Sequence, residues 1–168
     1  MNSAYLLLGG NIGKIHHSFS TAKQLIEDHV GTIKNASSVY CSEPWGFESK
    51  NMFYNQVILV ETDLSPKELL STILMIETKM GRKRKKDKIE NRIIDIDIIF
   101  YNDVIIHEKD LEIPHPRMHL RKFTLVPMTD IAPGMKHPVF NKTVDQLLEE
   151  CEDKLSVFPC NNNNFLNS

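Results

Sequence analysis

The fold is decided by the stretch Asn91-Arg92-Ile93-Ile94-Asp95-Ile96-Asp97-Ile98-Ile99-Phe100, where two carboxylates stand two residues apart among isoleucines. A run of β-branched and aromatic residues predicts a buried strand. Alternate residues of a strand share a face, so Asp95 and Asp97 are expected side by side. The residues expected to face a core are Ile94, Ile96, Ile98 and Phe100. The pattern predicts either a site for a hard divalent cation, which prefers carboxylate oxygens, or a strand with two ordinary aspartates on a solvated face.

A strongly basic segment precedes this strand. Between positions 81 and 92 there are seven basic residues and two acidic ones, whereas the whole chain has 20 Lys and Arg, 22 Asp and Glu, and a net charge of -2. The segment could be a solvated charge run or a nucleic-acid patch, although it lacks the interleaved aromatic residues of many such patches. Its position beside two carboxylates favours a polyphosphate ligand, with metal ions on one side and arginines on the other.

Length and composition predict one small domain. The chain has 168 residues, of which 41% are hydrophobic, and we expect a single domain over residues 1–160 followed by a disordered Asn-rich tail at 161–168. The N-terminus lacks signal-peptide features, and no stretch is long enough to cross a bilayer. The three cysteines are widely spaced, so we predict reduced thiols and a cytoplasmic location.

Hydrophobic periodicity and turn residues predict the order of the elements. The predicted strands are 5–8, 37–40, 53–61 and the Asp-x-Asp strand, which has 104–106 as a hairpin partner; the predicted helices are 19–27, 66–80, 123–131 and one after 143. Ser65, Pro66 and Glu68 form a strong helix start. The order β-α-β-β-α-β predicts a ferredoxin-like α/β sandwich, with a mostly antiparallel sheet, helices packed on it and a C-terminal extension.

These residues resemble the 6-hydroxymethyl-7,8-dihydropterin pyrophosphokinase family of the folate pathway over about the first nine-tenths of the chain. The matching motifs are, in order, Leu8-Gly9-Gly10-Asn11, Tyr40 through Gly46, Phe53-Tyr54-Asn55, Glu77 with Gly81-Arg82-Lys83-Arg84, Arg92 with Asp95-Ile96-Asp97, His115-Pro116 with Arg121-Lys122-Phe123, and Ile131-Ala132-Pro133. The resemblance implies the same sandwich fold. It also implies an enzyme that moves the β,γ-diphosphate of ATP onto the pterin hydroxymethyl group and releases AMP.

The resemblance also implies roles for individual residues. Asp95 and Asp97 would hold two Mg²⁺ ions, and they would form the catalytic group together with Arg82 and Arg92. The expected ATP-binding residues are Arg82, Arg84, Arg92, Ile98, His115 and Arg121. The expected pterin-binding residues are Ser42, Glu43, Trp45, Phe53, Asn55 and Phe123, with the ring stacked between the two phenylalanines. The expected partners are therefore ATP and the pterin, without nucleic acid, membrane or an obligate protein partner.

Several alternatives stay open at this point. His115 could be a packed loop residue, Phe123 plain core and Asn55 a strand-edge residue, while Glu77 either orients the basic loop or a nearby cation or is an exposed helical carboxylate. Ile89 stands where the family commonly has an aromatic residue. Two other functions compete, namely a metal-dependent phosphohydrolase or nuclease and a non-catalytic module that binds nucleic acid.

Overall fold

The computed structural model describes residues 1–43, 52–82 and 93–160. The strands are β1 (Asn2–Gly10), β2 (Gly31–Ala36), β3 (Tyr40–Ser42), β4 (Phe53–Thr62), β5 (Asp95–Tyr101), β6 (Ile106–Glu108), β7 (Leu111–Ile113) and β8 (Val157–Pro159). The helices are α1 (Ile15–His29), α2 (Pro66–Lys79), α3 (Lys122–Ile131) and α4 (Val144–Glu150), with a 3-10 turn at Met118–Leu120. Predictions for Trp45, Arg84, Ile89, Arg92 and the tail at 161–168 fall outside the described residues.

The main sheet confirms the predicted fold class. Its strands run in the order β5-β1-β4-β3-β8, β2 also pairs with β4, and all of these pairings are antiparallel. The first part of the chain, through β5, gives the ferredoxin-like sandwich, and α3, α4 and β8 form the C-terminal extension. β6 and β7 form a separate two-stranded hairpin.

The two faces of the sheet carry two separate apolar clusters. One face packs against α1 and α2 through residues such as Leu6, Phe19, Ile58, Ile73 and Ile96. The other packs against α3 and α4 through a second set that includes Leu7, Val57, Phe100, Leu125 and Leu147. Because strand residues alternate between faces, neighbouring positions in β1 and β4 belong to different clusters.

The start of α2 follows the sequence signals closely. The Ser65 hydroxyl accepts a hydrogen bond from the Glu68 backbone N–H at 3.3 Å, and the Glu68 carboxylate accepts one from the Ser65 N–H at 2.7 Å. Pro66 occupies the first helical position, where a backbone N–H would have no partner within the helix, so the lack of one in proline costs nothing. The predicted capping box is therefore confirmed.

The strand predicted at 37–40 is wrong except for its last residue, because β2 ends at Ala36 and β3 begins at Tyr40. Between the two strands, the Ser37 hydroxyl accepts a hydrogen bond from the Val57 N–H at 3.0 Å and so replaces a backbone acceptor. β2 begins at Gly31, where a Cβ atom would lie 1.9 Å from the Glu61 carbonyl oxygen. This mostly polar edge strand depends on a close backbone approach that hydrophobic patterning does not reveal.

The predicted direction of Phe100 is also wrong. Ile94, Ile96 and Ile98 face α1 and α2 as expected, but Phe100 belongs to the cluster under α3 and α4. The β1–β5 register shifts between Tyr5 and Leu6, which pair with Phe100 and Ile98. This irregularity leaves Ile99 as an extra residue, and such a bulge reverses the alternation of faces beyond it.

The predicted hairpin between the Asp-x-Asp strand and 104–106 does not form. The strand pairs with β1, while β6 starts at Ile106 and pairs with β7. The turn after β5 contains Asn102 at a φ of 47°, and its side-chain Oδ1 accepts a hydrogen bond from the Ser3 N–H at 2.9 Å. This turn ties the chain back to β1 and directs it away from β5.

The prediction of three reduced thiols is wrong for two of them. Cys41 and Cys160 form a disulfide that joins β3 to the residue after β8, and Cys151 is a free thiol. The strands β3 and β8 pair directly, which brings cysteines 119 residues apart in sequence together. Spacing alone could not reveal this pairing. In the described part of the chain, no helix combines the length and apolar character needed to cross a membrane.

Candidate active site

A cleft of about 890 Å³ lies at the β5 edge of the main sheet, where residues such as Asp97 and Phe123 line it from the α3 side and residues such as Leu70 and Ile98 from the α2 side. Every predicted site residue that the structure describes lines this cleft: Ser42, Glu43, Phe53, Asn55, Arg82, Asp95, Asp97, Ile98, His115, Arg121 and Phe123. They come from β3, β4, β5, the end of α2 and the segment before and at the start of α3. The fold therefore collects residues separated by up to about half of the sequence into one concavity.

The register of three strands sets the spacing within the cleft. Gly9 of β1 is opposite Asn55 of β4 on one side and opposite Asp95 of β5 on the other. Neighbouring strands lie about 4.8 Å apart, so the backbones that carry the amide and the carboxylate are separated by roughly 10 Å. Asp97 lies two residues further along β5, opposite Leu7, and shares the face of Asp95.

Gly9 leaves room for the amide of Asn55. A Cβ atom at this position would lie 3.0 Å from Asn55 Oδ1, closer than ordinary van der Waals contact. Asn55 itself is 5% exposed. The glycine therefore lets the amide lie over β1 beside the cleft.

The end of α2 directs Arg82 into the cleft. Gly81 adopts a φ of +93°, its N–H donates to the Thr78 carbonyl, and the Arg82 N–H donates to the Glu77 carbonyl, both at 3.0 Å. These two bonds form a Schellman motif, which requires a residue with positive φ and so favours glycine. The motif returns the chain toward β5 directly after the helix.

A three-membered ion cluster follows from this turn. Arg82 Nη1 donates to Glu77 Oε2 and to Asp95 Oδ1. Glu77 Oε2 also accepts a hydrogen bond from the Ile96 N–H at 2.9 Å. Burial alone would lower the pKa of Arg82, but the charges of Asp95 and Glu77 outweigh it and raise that pKa. Glu77 is 2% exposed, so of the two alternatives left open for it the exposed helical carboxylate is wrong.

His115 and Arg121 enter the cleft from the segment between β7 and α3. The His115 N–H donates to the Ile99 carbonyl of β5 at 3.0 Å, and His115 Nδ1 accepts a hydrogen bond from the Arg117 N–H at 3.1 Å. Burial, reinforced by the charge of Arg121, lowers the pKa of His115 to about 4. The imidazole is therefore neutral near pH 7, and it holds its Nδ1 as an acceptor.

Phe53, Phe123 and Ser42 gather at the end of the cleft nearest β3. Arg121 Cζ lies 5.4 Å from the centroid of the Phe123 ring, within cation–π range. Ser42 is 1% exposed, and its Oγ has no hydrogen-bond partner among the described residues. Asp130 fixes α3 over this end, because its carboxylate accepts hydrogen bonds from the Tyr40 hydroxyl at 2.7 Å and the Ser38 N–H at 3.0 Å.

Several lining residues were not predicted from the sequence. One group comes from α2 and from the β6–β7 hairpin: Leu70, Leu74, Lys109, Asp110, Leu111 and Glu112. The hairpin has no distinctive motif, and its contribution depends on how it folds against β5. Glu77, for which the sequence left an orienting role and an exposed position open, also lines the cleft.

This arrangement of side chains defines a class of site. Two carboxylates on one strand, arginines from two separate segments and two phenylalanines beside a buried hydroxyl without a hydrogen-bond partner suit a phosphoryl-transfer enzyme with a flat second substrate. Comparison with the sequences of known proteins identifies the particular family. The sequence model of 7,8-dihydro-6-hydroxymethylpterin-pyrophosphokinase matches residues 5–133.

Relatives support the same assignment over most of the chain. The chain is 37% identical over 160 residues to a 2-amino-4-hydroxy-6-hydroxymethyldihydropteridine pyrophosphokinase of Aquifex aeolicus, covering 95% of this chain and 98% of that protein. It is 41% identical over 149 residues to a folic acid synthesis protein of Dictyostelium discoideum, covering 87% of this chain and 22% of that longer protein. The chain therefore belongs to the 7,8-dihydro-6-hydroxymethylpterin-pyrophosphokinase family, whose members use ATP in folate biosynthesis.

A solved structure agrees on the fold. A crystal structure of Plasmodium falciparum HPPK-DHPS superimposes with a TM-score of 0.73 at 23% identity, covering 89% of this chain and 43% of that chain. At this identity the likeness concerns the fold alone.

Proposed function

We propose that the cleft transfers diphosphate from ATP to the hydroxymethyl group of 6-hydroxymethyl-7,8-dihydropterin. The observation that carries this proposal is the register that places Asn55, Gly9 and Asp95 side by side across three strands. An amide that can read a heteroaromatic edge then stands roughly 10 Å, or two strand spacings, from a carboxylate pair. This separation suits a pterin at one end and a triphosphate at the other.

Asp95 and Asp97 fit a magnesium site by the chemistry of their donors. Both supply carboxylate oxygens from one strand face at the open cleft, and Mg²⁺ commonly takes one or two carboxylates and completes its shell with phosphate and water. Among the described residues, no group of three or more His, Cys, Asp and Glu side chains could hold a metal ion, so the substrate's phosphates would supply further ligands. Bound there, two Mg²⁺ ions would neutralise triphosphate charge.

The arginines and His115 would bind the triphosphate. Arg82 reaches the cleft beside Asp95, and Arg121 stands near His115 in the segment between β7 and α3. Guanidinium groups match phosphate oxygens in geometry and charge, and neutral His115 can donate from Nε2. Arg84 and Arg92, which lie outside the described residues, are proposed for the same phosphates. The nucleoside would occupy the apolar end near Ile98, Leu70 and Leu111.

The pterin would bind at the other end of the cleft. Stacking between Phe53 and Phe123 would favour a flat ring, and Asn55 offers both a donor and an acceptor to its edge. The buried Oγ of Ser42 would gain a hydrogen-bond partner there, while Glu43 and Trp45 are assigned to the same end. The hydroxymethyl oxygen would lose its proton to solvent and bond to the β-phosphorus, while the bond from that phosphorus to the α,β-bridging oxygen breaks and AMP leaves with that oxygen.

The test is the identity of the nucleotide product. Chromatography should show AMP formed from ATP only when the hydroxymethyl pterin and Mg²⁺ are both present, in equal amounts with the pterin diphosphate. ADP formation, or hydrolysis without pterin, would support the phosphohydrolase alternative instead. Steep salt-dependent binding of RNA or DNA without AMP formation would support the nucleic-acid module. A cytoplasmic location and the absence of an obligate protein partner stay predictions.

A further inference from the structure

Glu77 is placed where a carboxylate is unfavourable for the helix that carries it. It lies in the last turn of α2, where the helix dipole favours cations, and it is 2% exposed. A buried charge destabilises a fold unless it is paired and hydrogen-bonded. Glu77 meets both conditions through Arg82 and the Ile96 N–H. A residue that breaks local rules and is compensated by cleft residues points to a role in the site.

We propose that Glu77 is a positioning residue of the diphosphate transfer, because its carboxylate holds the guanidinium of Arg82 beside Asp95 and fixes the β5 backbone between the two aspartates. This inference rests on the proposed function, in which Arg82 contacts the triphosphate. Glu77 would act through Arg82 and β5 and not on the substrate.

The backbone supports a fixed relation between Glu77 and Arg82. The Schellman motif joins the Arg82 N–H to the Glu77 carbonyl, and the side chains of the same two residues meet as an ion pair. One residue pair is thus connected twice, through the main chain and through the side chains. The two links together restrict the conformations of Arg82 and keep its guanidinium beside Asp95 at the cleft.

The Ile96 N–H explains how Glu77 also affects the aspartates. β5 is an edge strand of the main sheet, so among the described residues its outer N–H groups have no strand partner. Glu77 Oε2 accepts from the Ile96 N–H at 2.9 Å, at the residue between Asp95 and Asp97. The carboxylate thereby anchors the segment that presents both proposed metal ligands.

The charge of Glu77 also determines how Arg82 and a metal share Asp95. Arg82 contacts both Glu77 and Asp95. If Mg²⁺ takes Asp95, Glu77 still holds the guanidinium at the cleft wall. Without the Glu77 charge, Asp95 is the carboxylate that Arg82 contacts among the described residues, and the arginine then competes with the metal for it.

The decisive variant is Glu77→Gln. Glutamine keeps the size of the side chain, and its Oε1 can still accept from the Ile96 N–H, whereas the charge that holds Arg82 is lost. We expect kcat to fall on the order of tenfold to a hundredfold, as for loss of a charged hydrogen bond. KM for ATP and for pterin should change by less than about threefold, because a contact that matters in the transition state lowers kcat more than ground-state binding.

Glu68→Gln provides a matched control. It removes a carboxylate from the first turn of the same helix, where a glutamine also completes a capping box, and it lies outside the cleft. Its kcat should match the wild type. Calorimetry with Mg²⁺ and a non-hydrolysable ATP analogue gives a readout apart from turnover, and Glu77→Gln should show weaker Mg²⁺ dependence of analogue binding than the control.

A double-mutant cycle separates positioning from a purely structural role. In an Arg82→Ala background, Glu77→Gln should lower kcat by no more than about twofold, since the group it positions is gone. An equal effect in both backgrounds would overturn the proposal. So would a kcat within about twofold of the wild type, or a loss of kcat explained by unfolding at the assay temperature. If the wild type forms no AMP, the proposed function fails. If the wild type forms AMP and Glu77→Gln forms it at the same rate, only the role proposed for Glu77 fails.

Discussion

The two faces of the central sheet differ in how completely they are covered. The face under α1 and α2 is apolar along β1, β4 and β5, with Leu6, Leu8, Ile58 and Ile96 all buried. The opposite face is apolar only where α3 and α4 cover it. Beyond that cover, the same alternating positions become Gly9, Asn55, Asp95 and Asp97, which line the cleft.

The change occurs within single strands, at the same level in β1 and β4 and one residue pair earlier in β5, where Asp97 already lies opposite Leu7. Along β1 the residue type on this face passes from Leu7 to Gly9, along β4 from Val57 to Asn55, and along β5 from Ile99 to Asp97. A stability requirement alone would favour apolar residues at all of these positions. The break in the apolar pattern on one face therefore marks the part of the site that β1, β4 and β5 supply, and α2 adds residues such as Leu70 and Leu74 from the other side. The rest of the face under α1 and α2 is scaffold.

The largest expected effect separates catalysis from stability on the open face. Asp97→Asn should lower kcat by about three orders of magnitude or more, because a neutral amide keeps the side-chain shape but removes charge that would hold Mg²⁺. The melting temperature should change little. Steady-state kinetics at saturating Mg²⁺ and thermal unfolding provide the measurements.

Asp103→Asn is the matched control for that change, since Asp103 is exposed in the turn after β5. It should leave kcat unaltered. Retention of more than about a tenth of wild-type activity by Asp97→Asn would contradict the metal assignment.

The covered face should respond in the opposite way. Phe19→Ala removes a ring that is 1% exposed in the α1 cluster, and we expect the free energy of unfolding to fall by about 3–5 kcal/mol. Urea denaturation measures this loss. At a temperature where the variant stays folded, its kcat/KM should equal that of the wild type. A selective loss of activity without a loss of stability would mean that the two faces are not functionally distinct.

The edge of the sheet beside the cleft offers a third comparison. The Cys41–Cys160 disulfide connects β3 to the end of the chain that follows β8, across a sequence separation of 119 residues. Cys160→Ser should lower the free energy of unfolding by about 2–4 kcal/mol, chiefly because the unfolded chain gains freedom. Denaturation of the oxidised protein, with a thiol count by mass spectrometry, would measure this effect.

Cys151→Ser is the control, since Cys151 is a free thiol that packs against the apolar cluster under α3 and α4. It should change stability much less than Cys160→Ser. Equal stability of the wild type and Cys160→Ser, together with three reactive thiols, would restore the original expectation from the sequence.

Much of the fold and of the candidate site could be predicted from signals that are local in the sequence. The Asp-x-Asp alternation, the Ser65 capping box and the glycine that ends α2 each act within a few residues, so the sequence reveals them directly. The resemblance to a family then supplied residues far apart in the chain. Every one of these residues that the structure describes lines a single cleft.

The features that the sequence did not reveal depend on distant contacts. Phe100 changes face because β5 carries a bulge against β1, and β2 exists because Gly31 approaches the backbone of Glu61. The cysteine pairing depends on β8 reaching β3. Glu77 is buried because a turn returns Arg82 to it, and helix periodicity alone does not specify that return.

The smallest expected effect concerns Gly9, between the two halves of the cleft. Gly9→Ala would place a Cβ atom 3.0 Å from Asn55 Oδ1, so the amide must shift by a few tenths of an ångström. Such a shift weakens a hydrogen bond without removing it, and we expect pterin binding to weaken by about 1 kcal/mol. Asn55→Ala, which removes the amide, should weaken it by roughly 1–3 kcal/mol. Both variants should bind a non-hydrolysable ATP analogue with Mg²⁺ as the wild type does, because Asp95 and Asp97 keep their places on β5. Calorimetry can measure the binding of both ligands.

Gly134→Ala is the control, since an added Cβ there meets no atom within 4 Å. If Gly9→Ala weakened the ATP analogue as much as the pterin, Gly9 would support the whole end of β1 and not the amide alone. Unchanged pterin binding in Asn55→Ala would remove the amide from the proposed pterin site.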